Sequence, residues 1–157
     1  MRVWLVSVMV GTACCIGLMR SSVHGRGADD AEVADLLIEL LRAGRVVVSE
    51  HQPLINDASK AEKGFTDKFL VSQVLSRFKA ITKVDLSHPR EVPHGEILMA
   101  MLESQHEVVS EAQPIINKQG IAFKGFVPSV FARKVGQKLS EKTGIRVKLT
   151  AIDYRVP

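Results

Sequence analysis

The sequence predicts an α+β fold that is rich in helix and carries one β-strand near the C-terminus. Three observations lead to this prediction. Apolar residues recur at helical spacing in four segments, two short motifs each occur twice with an offset of 61 residues, and residues 145–152 alternate between apolar and polar. A chain of 157 residues with 46% hydrophobic and 24% charged residues suits one globular domain.

The first segment is an apolar run from Val3 to Met19, which follows Met1-Arg2. A basic start, an apolar stretch and a plausible cleavage site at Val23-His24-Gly25 are typical of a secretory signal peptide. An uncleaved anchor that crosses the membrane through residues 3–19, or a lipoprotein modified at Cys14, is an alternative. The sequence therefore predicts a signal peptide or anchor over residues 1–25, a single domain over residues 26–157, and a periplasmic or extracellular location.

Charge and cysteine content exclude several function classes. Cleavage would remove Arg2 and Arg20, which lowers the net charge from +4 to about +2. This balance and an aromatic content of 5% give no support to nucleic-acid binding. Both cysteines, Cys14 and Cys15, lie inside the apolar run, so the remaining domain has no disulfide and no thiolate metal site.

The chain repeats itself. The pattern Val-Val-Ser-Glu-x-Gln-Pro-x-Ile-Asn begins at Val47 and again at Val108, and Lys-Gly-Phe begins at Lys63 and again at Lys124. An ungapped alignment at the same offset, starting at Val47, gives 14 identities in 36 positions. We interpret this as an internal duplication, or as one structural unit used twice.

Each copy predicts a helix, a loop and a second helix. The first helix begins at Asp29 or Asp30, where a carboxylate can cap free amides, and it meets Pro53. It either kinks there and ends at Asn56 or stops before the proline, and the uninterrupted apolar period favours the kink. The glycine of Lys-Gly-Phe predicts a positive φ angle. The next helix contains apolar residues from Phe69 to Ile81, and a short strand follows over residues 84–86.

The second copy follows the same plan. Its first helix begins near Pro93-His94-Gly95 and meets Pro114, with Asn117 as the equivalent cap. Pro128 suits the first turn of the next helix and Gly144 suits its end. Ile145 to Ile152 then predict a half-buried strand, whose exposed edge could pair with a partner protein or with a second copy.

The repeated segments also carry a resemblance. Gln52-Pro-Leu-Ile-Asn56, Lys63-Gly-Phe65 and the stretch from Gln113 through Phe131 resemble the c-type haem family of bacterial extracytoplasmic sensor domains, over roughly residues 33–155. The resemblance implies a PAS-like α+β fold and a sensory or redox role. In haem-bearing members a Cys-x-x-Cys-His motif lies downstream of this region. This chain lacks the motif, so we expect no covalent haem and at most non-covalent haem.

His51 is the first candidate ligand residue. It continues the apolar stripe of the first helix, and Ala112 occupies the same position in the second copy. A histidine that faces inward could be an axial haem ligand or a proton-sensitive switch. Alternatively, its ring is satisfied by a backbone carbonyl at the edge of the core.

Lys63 and Lys124 are the other candidates, because each could bind an anionic group such as a haem propionate. They could equally be solvated loop residues. Glu50 and Glu111 also recur, but a polar residue kept in both copies is more easily explained by a repeated backbone requirement. No motif of a hydrolase, phosphoryl transferase or dehydrogenase is present, so we predict that the chain is not an enzyme.

Three functions therefore remain as hypotheses. The first is an extracytoplasmic, non-catalytic sensory domain that binds haem or another small ligand. The second is a cofactor-free structural or protein-interaction module that uses the segment from Ile145 to Ile152. The third is a truncated relic of a longer haem protein.

Overall fold

The computed structural model describes residues 24–148. Within this range the chain forms five α-helices and one short 3₁₀ helix at Pro89–Glu91. In chain order the α-helices are α1 (His24–Glu50), α2 (Gln52–Ile55), α3 (Asp67–Thr82), α4 (Gly95–Ile116) and α5 (Pro128–Thr143). We call α1–α3 the first half and α4–α5 the second half. The prediction for residues 3–19 lies outside the described residues, and so does most of the predicted segment 1–25.

The prediction of an α+β, PAS-like fold is wrong, because residues 24–148 contain helices and no β-strand. Residues 145–148 and 84–86 are irregular chain rather than strands. Ile145, Val147 and Val84 are half-buried against the helical core, and Leu86 is buried. Apolar and polar residues alternate in these segments because one side of each segment packs on the helices. Neither segment pairs with a neighbouring strand among the described residues. Residues 149–152 lie outside the described part of the chain.

The helices recur with the offset of the sequence motifs. Helix α5 begins and ends 61 residues after α3. Gly64 and Gly125 both have φ of 69°, as predicted for Lys-Gly-Phe. Lys83 and Gly144 end the two helices in the left-handed conformation.

The first helix of each copy differs at its proline. Helix α4 contains Pro114 and continues to Ile116, with Asn117 as its C-cap. In the first half the helix is broken at His51, and a separate turn, α2, carries the chain past Pro53 to Asn56. Both copies thus reach the predicted asparagine, but only the second does so as one helix. Within the described residues, helix α1 already extends from His24, ahead of the predicted start at Asp29 or Asp30.

The two halves are related by an approximate two-fold axis. Helix α1 packs on α3 as α4 packs on α5, and α3 packs on α4 as α1 packs on α5. Helices α1 and α4 also contact each other directly. Exchange of partners between equivalent elements is the mark of a two-fold arrangement.

One core runs through both halves. Most of its side chains occupy equivalent positions in the repeat, so each half supplies one wall of the same core. Buried pairs with the 61-residue offset are Leu37 and Leu98, Leu40 and Met101, Val47 and Val108, Ile55 and Ile116, Phe65 and Phe126, and Val74 and Val135. No helix among residues 24–148 combines the length and the apolar character that crossing a bilayer requires.

Candidate functional site

The loops that precede α3 and α5 meet at one end of the bundle. We call residues 56–66 the first loop and residues 117–127 the second loop. The backbone N–H of Gly120 donates to the carbonyl of Ala58 at 2.9 Å, and the Gln119 amide donates to the carbonyl of Ser59 at 2.9 Å. These bonds join the two loops into one surface.

The repeated glutamines bind the opposite half. Gln52 Nε2 donates to the carbonyl of Phe126 at 2.8 Å, and Gln113 Nε2 donates to the carbonyl of Phe65, also at 2.8 Å. The residues in these two bonds are equivalent, so the halves exchange the same contact. Asn56 Oδ1 accepts from the backbone N–H of Lys124 at 3.0 Å. The repeated polar residues Gln52, Gln113 and Asn56 therefore form hydrogen bonds with backbone groups of the opposite half. The sequence alone does not reveal these partners.

Lys63 and Lys124 lie buried under the same two loops, with exposed fractions of 5% and 6%. Lys63 Nζ donates to the carbonyl of Lys60 at 2.6 Å, and Lys124 Nζ donates to the carbonyls of Lys118 and Ile121. Burial lowers the pKa of Lys124, and the charges of Lys63 and Lys118 lower it further. Both ammonium groups thus hold the shape of a loop, and these bonds occupy one of the three N–H donors of Lys63 and two of those of Lys124.

His51 lies at the same end of the molecule, at the break between α1 and α2. Its Nδ1 is 2.8 Å from the carbonyl oxygen of Val47, and its ring is half-buried. Two aromatic rings flank it: the ring centroid of Phe65 is 5.5 Å away and that of Phe69 is 5.0 Å away. A carbonyl only accepts, so the neutral ring must carry its proton on Nδ1. Nε2 therefore keeps its lone pair.

The contact of His51 also accounts for the broken helix. The carbonyl of Val47 accepts both the His51 backbone N–H at 3.2 Å and its ring Nδ1 at 2.8 Å. Ala112, at the equivalent position, has no polar side chain to compete for the Val108 carbonyl, and α4 is continuous there. The difference between His51 and Ala112 is thus accompanied by a difference in the backbone, since the helix is broken at His51 and continuous at Ala112.

Glu50 and Glu111 make ordinary ion pairs. Glu50 Oε2 is 2.6 Å from Arg77, and Glu111 Oε1 is 2.6 Å from Lys138, which occupies the position equivalent to Arg77. Each pair joins the two long helices of its own half. The repeated carboxylates therefore have the same structural partner twice, and they do not face each other as an acid–base pair would.

In the described part of the chain, the remaining titratable side chains form no metal centre. His106 is half-exposed and its Nε2 lies 3.1 Å from Asp67 Oδ2, so this histidine contacts one carboxylate. Across residues 24–148 no three His, Cys, Asp or Glu side chains cluster closely enough to hold a metal ion.

Surface depressions of this helical bundle are small. Five of them have volumes of about 160 to 410 Å³, and His51 lines none of the five. The most apolar is a groove of about 210 Å³ formed by Ala34, Leu37 and Ile38 of α1 and by residues 145–148. Residues of the predicted partner-binding segment thus lie against α1, and their role in binding a partner stays a prediction.

Comparison with family models, curated proteins and solved structures finds no match for this chain. The resemblance to the c-type haem family therefore stays a prediction from the residues themselves.

Proposed function

We propose that this chain is an extracytoplasmic, non-catalytic sensory domain of the kind found in the c-type haem family, and that it takes haem without a covalent bond through His51. The observation that carries the proposal is the orientation of the His51 ring. Its Nδ1–H is held by the Val47 carbonyl at 2.8 Å, which leaves Nε2 as a fixed electron-pair donor. Histidine ligands of metal centres commonly use such a backbone carbonyl to fix tautomer and ring orientation.

Two apolar neighbours of His51 support the proposal. Phe65 is fully buried and Phe69 is half-buried, and both rings pack on the imidazole. Such apolar neighbours limit the access of water to Nε2. The half-exposed ring would meet haem at the surface beside α1 and α3. When bound, haem would supply the redox or gas-binding chemistry of the sensor.

The other candidate residues support this site less directly. Lys63 and Lys124 lie in the adjoining loops, but both ammonium groups already donate to loop carbonyls. We therefore assign them to the support of the loops and leave recognition of the propionates unassigned. We expect no covalent attachment within residues 1–157, because their two cysteines are adjacent and precede the domain.

The position of His51 also offers a route from ligand to structure. Its Nδ1 shares the Val47 carbonyl with the backbone N–H at the break between α1 and α2. A group bound at Nε2 makes Nδ1–H a stronger donor and tightens this bond. Ligand binding would thereby bias the helix break, which is next to the Gln52 contact with the second half.

Haemin titration of the full chain tests the proposal. We expect a Soret band with the position and sharpness of histidine-ligated haem, saturating at one haemin per chain. His51→Ala should lose this band, because it removes the imidazole that packs on Phe65 and Phe69. His106→Ala is the matched control, since His106 is half-exposed and contacts Asp67 instead. Absence of a band in the wild type, or an unchanged band in His51→Ala, would refute haem ligation by His51.

A further inference from the structure

Gly44 and Gln105 occupy equivalent positions in the repeat and touch each other where α1 crosses α4. A Cβ atom built on Gly44 would lie 1.9 Å from Gln105 Oε1 and 3.0 Å from both Gln105 Cδ and Phe131 Cε1. A residue that contacts its own equivalent must lie at the two-fold axis. The axis is therefore marked by one residue without a side chain and one with a long polar side chain.

Gln105 is fully buried and its side chain forms a hydrogen bond with the backbone of the opposite half. Its Nε2 donates to the carbonyl of Leu40 at 3.1 Å, one helical turn before Gly44. Its Oε1 has no hydrogen-bond partner among the described residues, although it is buried. A buried amide that is only half satisfied is costly, so its presence in this core is not explained by stability alone.

Two identical halves would not pack well at the contact between Gly44 and Gln105. Two first halves would bring Gly44 against Gly44 and leave empty the space that the Gln105 amide fills. Two second halves would bring Gln105 against Gln105, although a Cβ atom on the facing residue would already lie 1.9 Å from Gln105 Oε1 and force this amide to move. Only unlike halves combine the gap with the side chain that fills it.

We propose that Gly44 and Gln105 make the two halves selective for each other. The surface of the first half then fits a second half and rejects a copy of itself. That second half can belong to the same chain or to a second copy of the chain, which would form a dimer by exchange of halves. The connection between α3 and α4, residues 83–94, includes Pro89 and Pro93 and is the segment that would have to open.

An alanine cycle tests the contact within one chain. Gly44→Ala should lower Tm by roughly 2–8 °C, because its methyl group displaces the Gln105 amide. In a Gln105→Ala background the same substitution should cost clearly less, because only the 3.0 Å contact with Phe131 Cε1 remains and alanine favours the helix. Gly136→Ala is the matched control, since a Cβ there meets no atom closer than 3.5 Å. Equal Tm losses for Gly44→Ala in the two backgrounds would overturn the selectivity contact.

A mixing experiment tests pairing between chains. Gly44→Gln places glutamine in both halves, and Gln105→Gly places glycine in both, so each variant alone has only like pairs at the axis. Refolded together in equal amounts, the two variants can form a dimer in which both interfaces pair Gly with Gln. We expect a dimer by light scattering with a Tm above that of either variant, even where Gly44→Gln alone does not fold. A mixture that melts as its separate components, without dimer, would overturn recognition between chains.

Discussion

At the scale of single residues, the repeated polar side chains are explained by their contacts across the two-fold axis. Gln52 and Gln113 each donate at 2.8 Å to the carbonyl before the first turn of the opposite α3 or α5. The sequence shows that these glutamines recur, but it does not show that they bind the other half. Their spacing along the chain would be the same if each glutamine bound its own half. A repeat that exchanges contacts and a repeat that folds on itself look alike in sequence.

Substitution of Gln113 tests the importance of this exchange. Gln113→Ala leaves the carbonyl of Phe65 without its donor, and we expect the free energy of unfolding to fall by about 1–3 kcal/mol. Gln119→Ala is the control, because exposed Gln119 makes a similar bond to Ser59 at 2.9 Å that water can replace. Urea unfolding of both variants gives the comparison. Similar losses in the two variants would contradict a special role for the Gln113 bond.

His51 and Gly44 show the limit of sequence reasoning at this scale. The difference between His51 and Ala112 is visible in the alignment, and it correctly marks a position where the two halves differ. The pair of Gly44 and Gln105 was equally visible at the same offset, but nothing in the sequence indicates that these two residues meet. Contact between equivalent residues follows only from the two-fold axis.

At the scale of elements, the helices could be predicted because their apolar residues recur with the helical period. The positive φ angles of Gly64 and Gly125, the first turn at Pro128 and the end at Gly144 follow from local chemistry in the same way. The predicted strands fail because alternation reports only that one side of an extended segment is buried. Residues 145–148 satisfy the alternation by lying on helices.

Helices α4 and α5 carry a ladder of ion pairs, of which the pair of Glu111 and Lys138 has an equivalent in Glu50 and Arg77 of the first half. Lys142 lies 2.8 Å from Glu107 and 3.1 Å from Glu103, and Lys138 lies 3.3 Å from Glu107 and 2.6 Å from Glu111. Glu107 belongs to both sets. The hydrogen bond from Lys142 is the main cause that lowers the pKa of the Glu107 carboxyl, and the bond from Lys138 adds to it.

This shift predicts a dependence of stability on pH. A carboxyl whose pKa is lower in the folded state stabilises above its unfolded pKa, here near 4.5, and this contribution is lost as pH falls through the folded value. We expect the free energy of unfolding of the wild type to decrease as pH drops below 4.5, and Glu107→Gln to flatten that decrease. The effect should be small and should shrink at high salt, because the ladder is at the surface. If urea titrations show the same decrease in the free energy of unfolding below pH 4.5 for both proteins, the role assigned to Glu107 is contradicted.

At the scale of the whole molecule, two similar halves build one core and exchange contacts at one end. His51 lies at that end, where the first half departs from the second. The sensory function that we propose depends on this departure, and the selectivity of the halves depends on Gly44 and Gln105. The sensory function and the selectivity both arise from residues that differ between the copies. A prediction from the repeat considers only the residues that the copies share.

The most direct measurement of this arrangement is the set of nuclear Overhauser contacts made by the Gln52 and Gln113 side-chain amides. The two-fold exchange predicts contacts from Gln113 to the backbone amide of Thr66 and from Gln52 to that of Val127, each in the opposite half. Contacts from Gln52 to Thr66 and from Gln113 to Val127, each within its own half, would contradict the two-fold exchange.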